Sequence, residues 1–252
     1  MTARISRHVA PYAAVMLGFA AIAFSIGATP ALAQNYDSIV AAPDRSEADR
    51  QNDKRRYPAK MLAFTGVKPG MKVLDVMAVA GYSSELLARS VGPTGVVYAQ
   101  DSEETVDRVK DRFNARAQSP AVKNLVRVTR NYDDPIPPDV RDLDLVTIFF
   151  SYHDLTFMGV DRAMMNKKIF AALKPGGFFV VADHSAKAGD GTTVGKTFHR
   201  IEESALRQEV EAAGFKVVAE GDFLRHPEDT RDVIVFKAPT PIDEFVLKFQ
   251  KP

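Results

Sequence analysis

The sequence has no cysteine, no tryptophan and no surplus of either charge, with 33 Lys and Arg residues against 32 Asp and Glu. Without cysteine there are no disulfides, thiolate nucleophiles, Cys-ligated zinc sites or iron–sulfur clusters. Any chemistry must use oxygen and nitrogen groups. A formal net charge of +1 leaves no basic footprint, so no nucleic-acid partner is expected. Glycine and proline number only 15 each, which excludes collagen-like and low-complexity sequence, and 46% hydrophobic content is enough for a full core.

The longest apolar run lies at the start. Arg4, Arg7 and His8 precede an apolar stretch over residues 13–26, and Pro30-Ala31-Leu32-Ala33 follows it. This order predicts a secretory signal peptide over residues 1–33, cleaved after Ala33. Gly18, Ser25 and Gly27 interrupt the run and leave it short of the roughly 20 apolar residues of a membrane span. An uncleaved inner-membrane anchor is the alternative. No cysteine follows for lipid attachment, and Arg4 and Arg7 are not a twin-arginine pair. Export by the general secretory route to the periplasm or beyond is therefore expected, with no stable membrane span after cleavage. Residues 34–45 read as a flexible leader, 46–238 as one α/β domain, and 239–252 as a C-terminal tail packed down by Phe245, Val246 and Phe249.

Within the domain, strands alternate with helices. Residues 46–65 are charged and helix-prone, and Gly66 closes them. Strands are expected at 72–76, 96–100, 126–129, 143–150, 178–182, 216–219 and 233–237, with helices at 83–91, 102–117, 161–173 and 204–213. The run LDLVTIFF is apolar at nearly every position, as befits a central parallel strand buried on both faces. Val106, Val109, Phe113 and Ala117 share one helix face, and Asp101 could cap that helix with Glu104 answering. The pattern predicts a doubly wound, mostly parallel sheet with helices on both faces. Ligands of such sheets bind beyond the carboxyl ends of the strands, where the strand order reverses.

Asp75 stands near the end of the first strand and Asp101 follows the second. A carboxylate at the tip of the second strand can accept from both hydroxyls of a ribose. At Asp75 a structural role is the equal alternative. The run VLDVMAVAGYSSELLARSVGPTGVVYAQD, then LDLVTIFFSYHDL and LKPGGFFVVAD, resembles the class I S-adenosylmethionine-dependent methyltransferases over roughly residues 66–237. The resemblance implies a Rossmann-like, seven-stranded sheet with one antiparallel strand near its edge, and S-adenosylmethionine across the tips of the first strands. It places Asp75 and Gly81 beside the methionine half, Asp101 at the ribose, and Asn131 or Asp133 facing the adenine. Met77 and Val79 stand where the family loop commonly has glycine. No G-x-G-x-x-G occurs in this loop, which disfavours a nicotinamide enzyme, and no G-x-S-x-G elbow supports an α/β-hydrolase.

Ser151-Tyr152-His153-Asp154 follows the buried strand and Asp183-His184 follows the next, both where a methyl acceptor would sit. Methyl transfer is an in-line displacement, so holding the acceptor in near-attack geometry supplies much of the acceleration. His153 or His184 could take a proton from the acceptor, with Asp154 or Asp183 orienting the ring. Tyr152 would line the same mouth, and His199 with Arg200 could pin an anionic acceptor. Asp154, Asp183 and His184 are ligand types for a divalent ion, but no H-E-x-x-H or comparable spacing supports them, and no metal site is expected. The function expected is methyl transfer to an unidentified small molecule. The alternative is a non-catalytic envelope protein that binds through a degenerate methyltransferase fold.

Overall fold

The computed structural model describes Met1 and residues 34–252. The expected signal peptide lies outside the described residues. Seven strands form one sheet in the order β3-β2-β1-β4-β5-β7-β6. They are β1 (Lys72–Val76), β2 (Val96–Asp101), β3 (Leu125–Thr129), β4 (Leu143–Phe149), β5 (Leu173–His184), β6 (Lys216–Gly221) and β7 (Glu244–Gln250). β1 to β5 pair in parallel, and β7 runs antiparallel to both β5 and β6. The chain leaves β1 toward one edge and returns to β4 on its other side, so the order reverses between β1 and β4. A ligand crevice forms at such a reversal.

Alternate strand residues fill two cores. Leu74, Val76, Val146, Ile148, Phe179 and Val181 point to the face covered by α6 (Arg162–Ala172) and α8 (Glu203–Glu211). Val73, Val97, Leu145, Val180 and Val246 point to the other face, under α1 (Tyr36–Val40), α3 (Pro58–Thr65) and α4 (Tyr82–Val91). This two-sided burial is why LDLVTIFF shows no alternation of polarity. α5 (Glu103–Ala117) packs Phe113 against Ala78 and Ala99.

Four sequence expectations are corrected. The stretch 46–65 is two helices, α2 (Glu47–Arg56) and α3, because Pro58 disfavours helical backbone at the residue before it and Tyr57 turns left-handed at φ 41°. The stretch 34–45 is not a loose leader. Asn35 caps α1, and the Tyr36 hydroxyl donates to the Val67 carbonyl at 2.7 Å. Residues 235–237 form a 3₁₀ turn rather than a strand. The stretch 239–252 is no tail, since its β7 fills the gap between β5 and β6. Among the described residues no helix is long and apolar enough to cross a membrane.

Candidate active site

The loop from β1 to α4 turns left-handed three times, at Met77 (φ 56°), Val79 (φ 53°) and Gly81 (φ 80°). These are the alternate positions where glycine would relieve the backbone, and a Cβ there costs roughly 1–2 kcal/mol per residue. The surroundings hold the shape nonetheless. Ala78 N–H donates to the Gln100 carbonyl at 3.1 Å, Val79 N–H donates to Asp101 Oδ1 at 3.1 Å, and Arg116 Nε donates to the Ala80 carbonyl at 2.8 Å. Arg116 also pairs with Asp49 of α2 at 2.7 Å and with Glu85 of α4, tying three elements to this loop.

Asp75 and Asp101 divide the roles that the sequence left open. Asp75 is buried, and its carboxylate accepts from the hydroxyls of Ser83, Ser84 and Thr147 at 2.6–2.7 Å. Burial pushes its pKa up despite those bonds. With both oxygens engaged it fastens α4 and β4 to β1. Asp101 ends β2 and is fully buried. Ser102, not Asp101, caps α5, accepting from Thr105 N–H at 3.3 Å. Asp101 Oδ1 takes the Val79 amide, while Oδ2 has no hydrogen-bond partner. Arg127 Nη2 lies 3.2 Å from Oδ2 but is not aligned to donate, since the guanidinium stacks on Phe113. Burial raises the Asp101 carboxyl to about 6.

Asn131 is exposed and Asp133 half-buried, and neither side chain approaches Asp101 by hydrogen bond. The residue between them does. Tyr132 is buried, with its hydroxyl 3.5 Å from Asp101 Oδ1 and 3.0 Å from Thr105 Oγ1.

Arg56 was not singled out from sequence. It closes α2, and its guanidinium carbon sits 4.6 Å from the Phe150 ring centroid and 5.2 Å from that of Tyr82. Burial pushes its pKa down, and among the described residues no carboxylate pairs with it. A cation held over two rings without a counter-ion is a place for an anion. Together with Met61, Leu62 and Leu86 it lines a small apolar cavity at the crevice.

At the tips of β4 and β5 a second cluster forms. His153 and Asp154 lie on a 3₁₀ turn (Tyr152–Thr156), Asp183 and His184 end β5, and His199 caps α7 (Gly195–Phe198) in left-handed backbone at φ 54°. Asp183 Oδ1 is 2.6 Å from His153 Nδ1, and Asp183 also accepts the backbone N–H of His153 at 2.7 Å and of His184 at 2.8 Å. Asp154 Oδ1 lies 3.1 Å from His153 Nε2 and 3.2 Å from His199 Nδ1. Burial opposes charge on His153, yet Asp183 and Asp154 outweigh it and hold the ring's pKa up to about 10. His184 is stacked on Phe150 and pushed down to about 3 by burial, so it stays neutral and enclosed.

Tyr152 does not join the cluster. Its side chain enters the core on the α6 and α8 side, where the hydroxyl bonds Glu209 and Asn166 at 2.9 Å each. Arg200 is likewise turned away, buried in a paired fork with Asp229 at 2.7 and 3.2 Å. The sequence reading also missed Phe157 and Phe236, exposed rings that stand 6.1 and 5.0 Å from the ring of His199.

Comparison with known proteins bears on the family and the fold. The ubiE/COQ5 methyltransferase family model matches residues 49–199. A ubiquinone/menaquinone biosynthesis C-methyltransferase of Burkholderia multivorans is 30% identical over 161 residues, which are 63% of this chain and 59% of that protein. The chain thus matches less than two thirds of the length of that relative. In fold, it is similar to a SAM-dependent methyltransferase from Aquifex aeolicus, with TM-score 0.59 and 21% identity over 87% of this chain and all of that one. The [4+2]-cyclase SpnF shares the fold at TM-score 0.58 and 17% identity, covering 83% of this chain and 85% of its own. A shared fold does not fix the reaction. The family match over residues 49–199 spans more than half of the sequence, and the chain belongs to the ubiE/COQ5 methyltransferase family.

Proposed function

We propose that the protein transfers a methyl group from S-adenosylmethionine to a small acceptor with an apolar ring. The observation that carries this reading is Oδ2 of Asp101, a buried oxygen at the tip of β2 that has Arg127 as an ion-pair neighbour at 3.2 Å but accepts no hydrogen bond. A buried carboxylate oxygen without a donor costs free energy that a ribose hydroxyl would recover. When bound, S-adenosylmethionine supplies an electrophilic methyl on a sulfonium. Asp101 would hold the ribose and Arg56 the carboxylate of the methionine half, with the loop 77–81 beside Asp101. The small cavity beside Arg56 is lined by Met61, Leu62, Tyr82 and Phe150, whose apolar surface would keep water from a cofactor bound next to it. On the acceptor side, Phe157 and Phe236 offer an apolar rim, and the cluster of His153, Asp154 and His199 faces the acceptor's polar group. A quinol or phenol ring suits that pairing, and the C-methyltransferase relatives favour carbon as the atom methylated.

The test is to incubate the full chain with methyl-labelled S-adenosylmethionine and a panel of phenols and reduced quinones. Label should pass to an acceptor and be lost in Asp101→Asn. A second reading, a binding protein without catalysis, draws on the complete burial of Asp101 behind Val79 and Arg127. That reading stands if no acceptor is labelled while the protein still binds a nucleoside.

Export through the signal-like segment 1–33 is also proposed, on the charge and polarity of that sequence. A fused reporter active on one side of the membrane tests it, and activity only on the cytosolic side would overturn it.

A further inference from the structure

Three Lewis bases meet beside the apolar rim. His153 Nε2, Asp154 Oδ1 and His199 Nδ1 stand 3.1, 3.2 and 3.3 Å apart, a nearly equilateral triangle. An ion about 2.0–2.1 Å from each of three donors sets those donors roughly 2.8–3.4 Å apart, the range from an octahedral face to a tetrahedron. Among the described residues no lysine or arginine pairs with Asp154, Asp183, His153 or His199. Two carboxylates and two imidazoles therefore converge with no lysine or arginine between them, a place that a proton on His153 fills when no ion is bound.

We propose that His153, Asp154 and His199 bind a single divalent transition-metal ion of the zinc class, with an open coordination position toward solvent. Two imidazoles and one carboxylate suit such an ion, and Asp183 supplies the supporting layer. It grips His153 Nδ1 at 2.6 Å and is itself fixed by two backbone amides, so Nε2 is directed at the triangle. Gly195 lets the third ligand approach. A Cβ there would stand 2.7 Å from the His153 carbonyl, so only glycine allows α7 to sit against the turn that carries His153 and Asp154. His199 then holds left-handed backbone, an unfavourable conformation for a residue with a side chain, at the one point that completes the triangle. The His153 side chain is 3% exposed, while Asp154 and His199 are 27% and 26% exposed, so the ion's open side faces outward.

The sequence led to no expected metal site, and the set weighed there, Asp154, Asp183 and His184, is not the one that converges. Asp183 stands behind His153, and His184 faces Glu244 at 2.9 Å instead. The ion's presence does not depend on methyl transfer. Its role, which is to bind the oxygen of a phenolate or quinol acceptor through the open position, rests on the function proposed above.

The test is a titration of the chelator-stripped full chain with Co(II), read by its visible absorption, and then with Zn(II) in competition, both without S-adenosylmethionine. One equivalent should bind. His199→Ala and Asp154→Asn should each weaken binding by about tenfold or more, and Asp183→Asn by roughly 10–100-fold. His226→Ala, at a half-buried histidine whose ring pairs with Glu228 outside the triangle, should leave it unchanged. Thermal melts of each variant confirm folding, and the two partly exposed ligand positions give independent readings. A chain that takes up no Co(II) or Zn(II), or one whose binding survives both His199→Ala and Asp154→Asn, would overturn the proposal and leave a proton on His153 as what the cluster holds. Loss of nucleoside binding alone would leave the titration unaffected, so the two readings fail separately.

Discussion

Asp101 is buried and must nevertheless be ionised to serve a ribose. Its folded pKa of about 6 lies above the ordinary carboxylate value, so between roughly pH 4 and 6 the folded state keeps a proton that the unfolded chain has released. Stability contributed by this group is present at low pH and lost as pH rises through that window. The penalty above it is on the order of 3 kcal/mol. Asp101→Asn should therefore gain stability relative to the parent as pH is raised from 4.5 to 7.5, as read by urea melts at both values. A difference that does not change with pH would mean that Asp101 is not strained by burial. Hydroxyl donors stabilise the charged form, so nucleoside binding should strengthen as pH rises through 6. At this scale the sequence showed which carboxylate to watch, because a strand-end acid after a βα unit has a fixed place. It did not show Arg56 or Tyr132. Arg56 ends a helix that precedes the sheet, and its partners Phe150 and Tyr82 are remote in sequence.

The β1–α4 loop shows that a conformation can outlast the residues that favour it. Met77 and Val79 adopt left-handed backbone because Gln100, Asp101 and Arg116 hold the loop from three sides. At Val79, glycine would relieve roughly 1–2 kcal/mol of backbone strain and lose roughly 0.5–1 kcal/mol through added freedom of the unfolded chain. Val79→Gly should thus melt within a few degrees of the parent. A loss of several kcal/mol, as for an ordinary buried valine, would contradict the left-handed assignment. Most elements were legible from periodicity, β4 above all. The break at Tyr57 was also signalled, by Pro58. The helix cap was not, since Asp101 and Ser102 are both good capping residues and only the position of the β2 end decides between them. The triangle of His153, Asp154 and His199 carries no motif, because adjacent ligands on a 3₁₀ turn and a third on a separate loop have no characteristic spacing.

On the scale of the whole molecule, the last fourteen residues complete the sheet. β7 pairs with β5 from Phe178↔Gln250 to His184↔Glu244 and with β6 along its other edge. Phe245, Val246, Leu247 and Phe249 are fully buried. Deleting residues 239–252 should abolish cooperative unfolding, followed by circular dichroism against temperature. A truncated chain that melts as sharply as the parent would contradict the topology. The sequence hid this strand behind Pro239 and Pro241 and split its apolar run with Lys248, whose ammonium sits 4.0 Å from the centre of the Phe178 ring. Its partners are also non-local, so no turn signal joins it to β5. The fold class was nevertheless readable, because alternation and buried runs along residues 72–182 suffice to specify a doubly wound sheet. Whether that sheet still holds a nucleoside is decided at β2. Calorimetry of the full chain with S-adenosylhomocysteine at pH 7.5 should show binding in the micromolar range, weakened roughly tenfold or more in Asp101→Asn. No heat with the parent protein, or equal affinity in both, would contradict the assignment of Asp101 to the ribose.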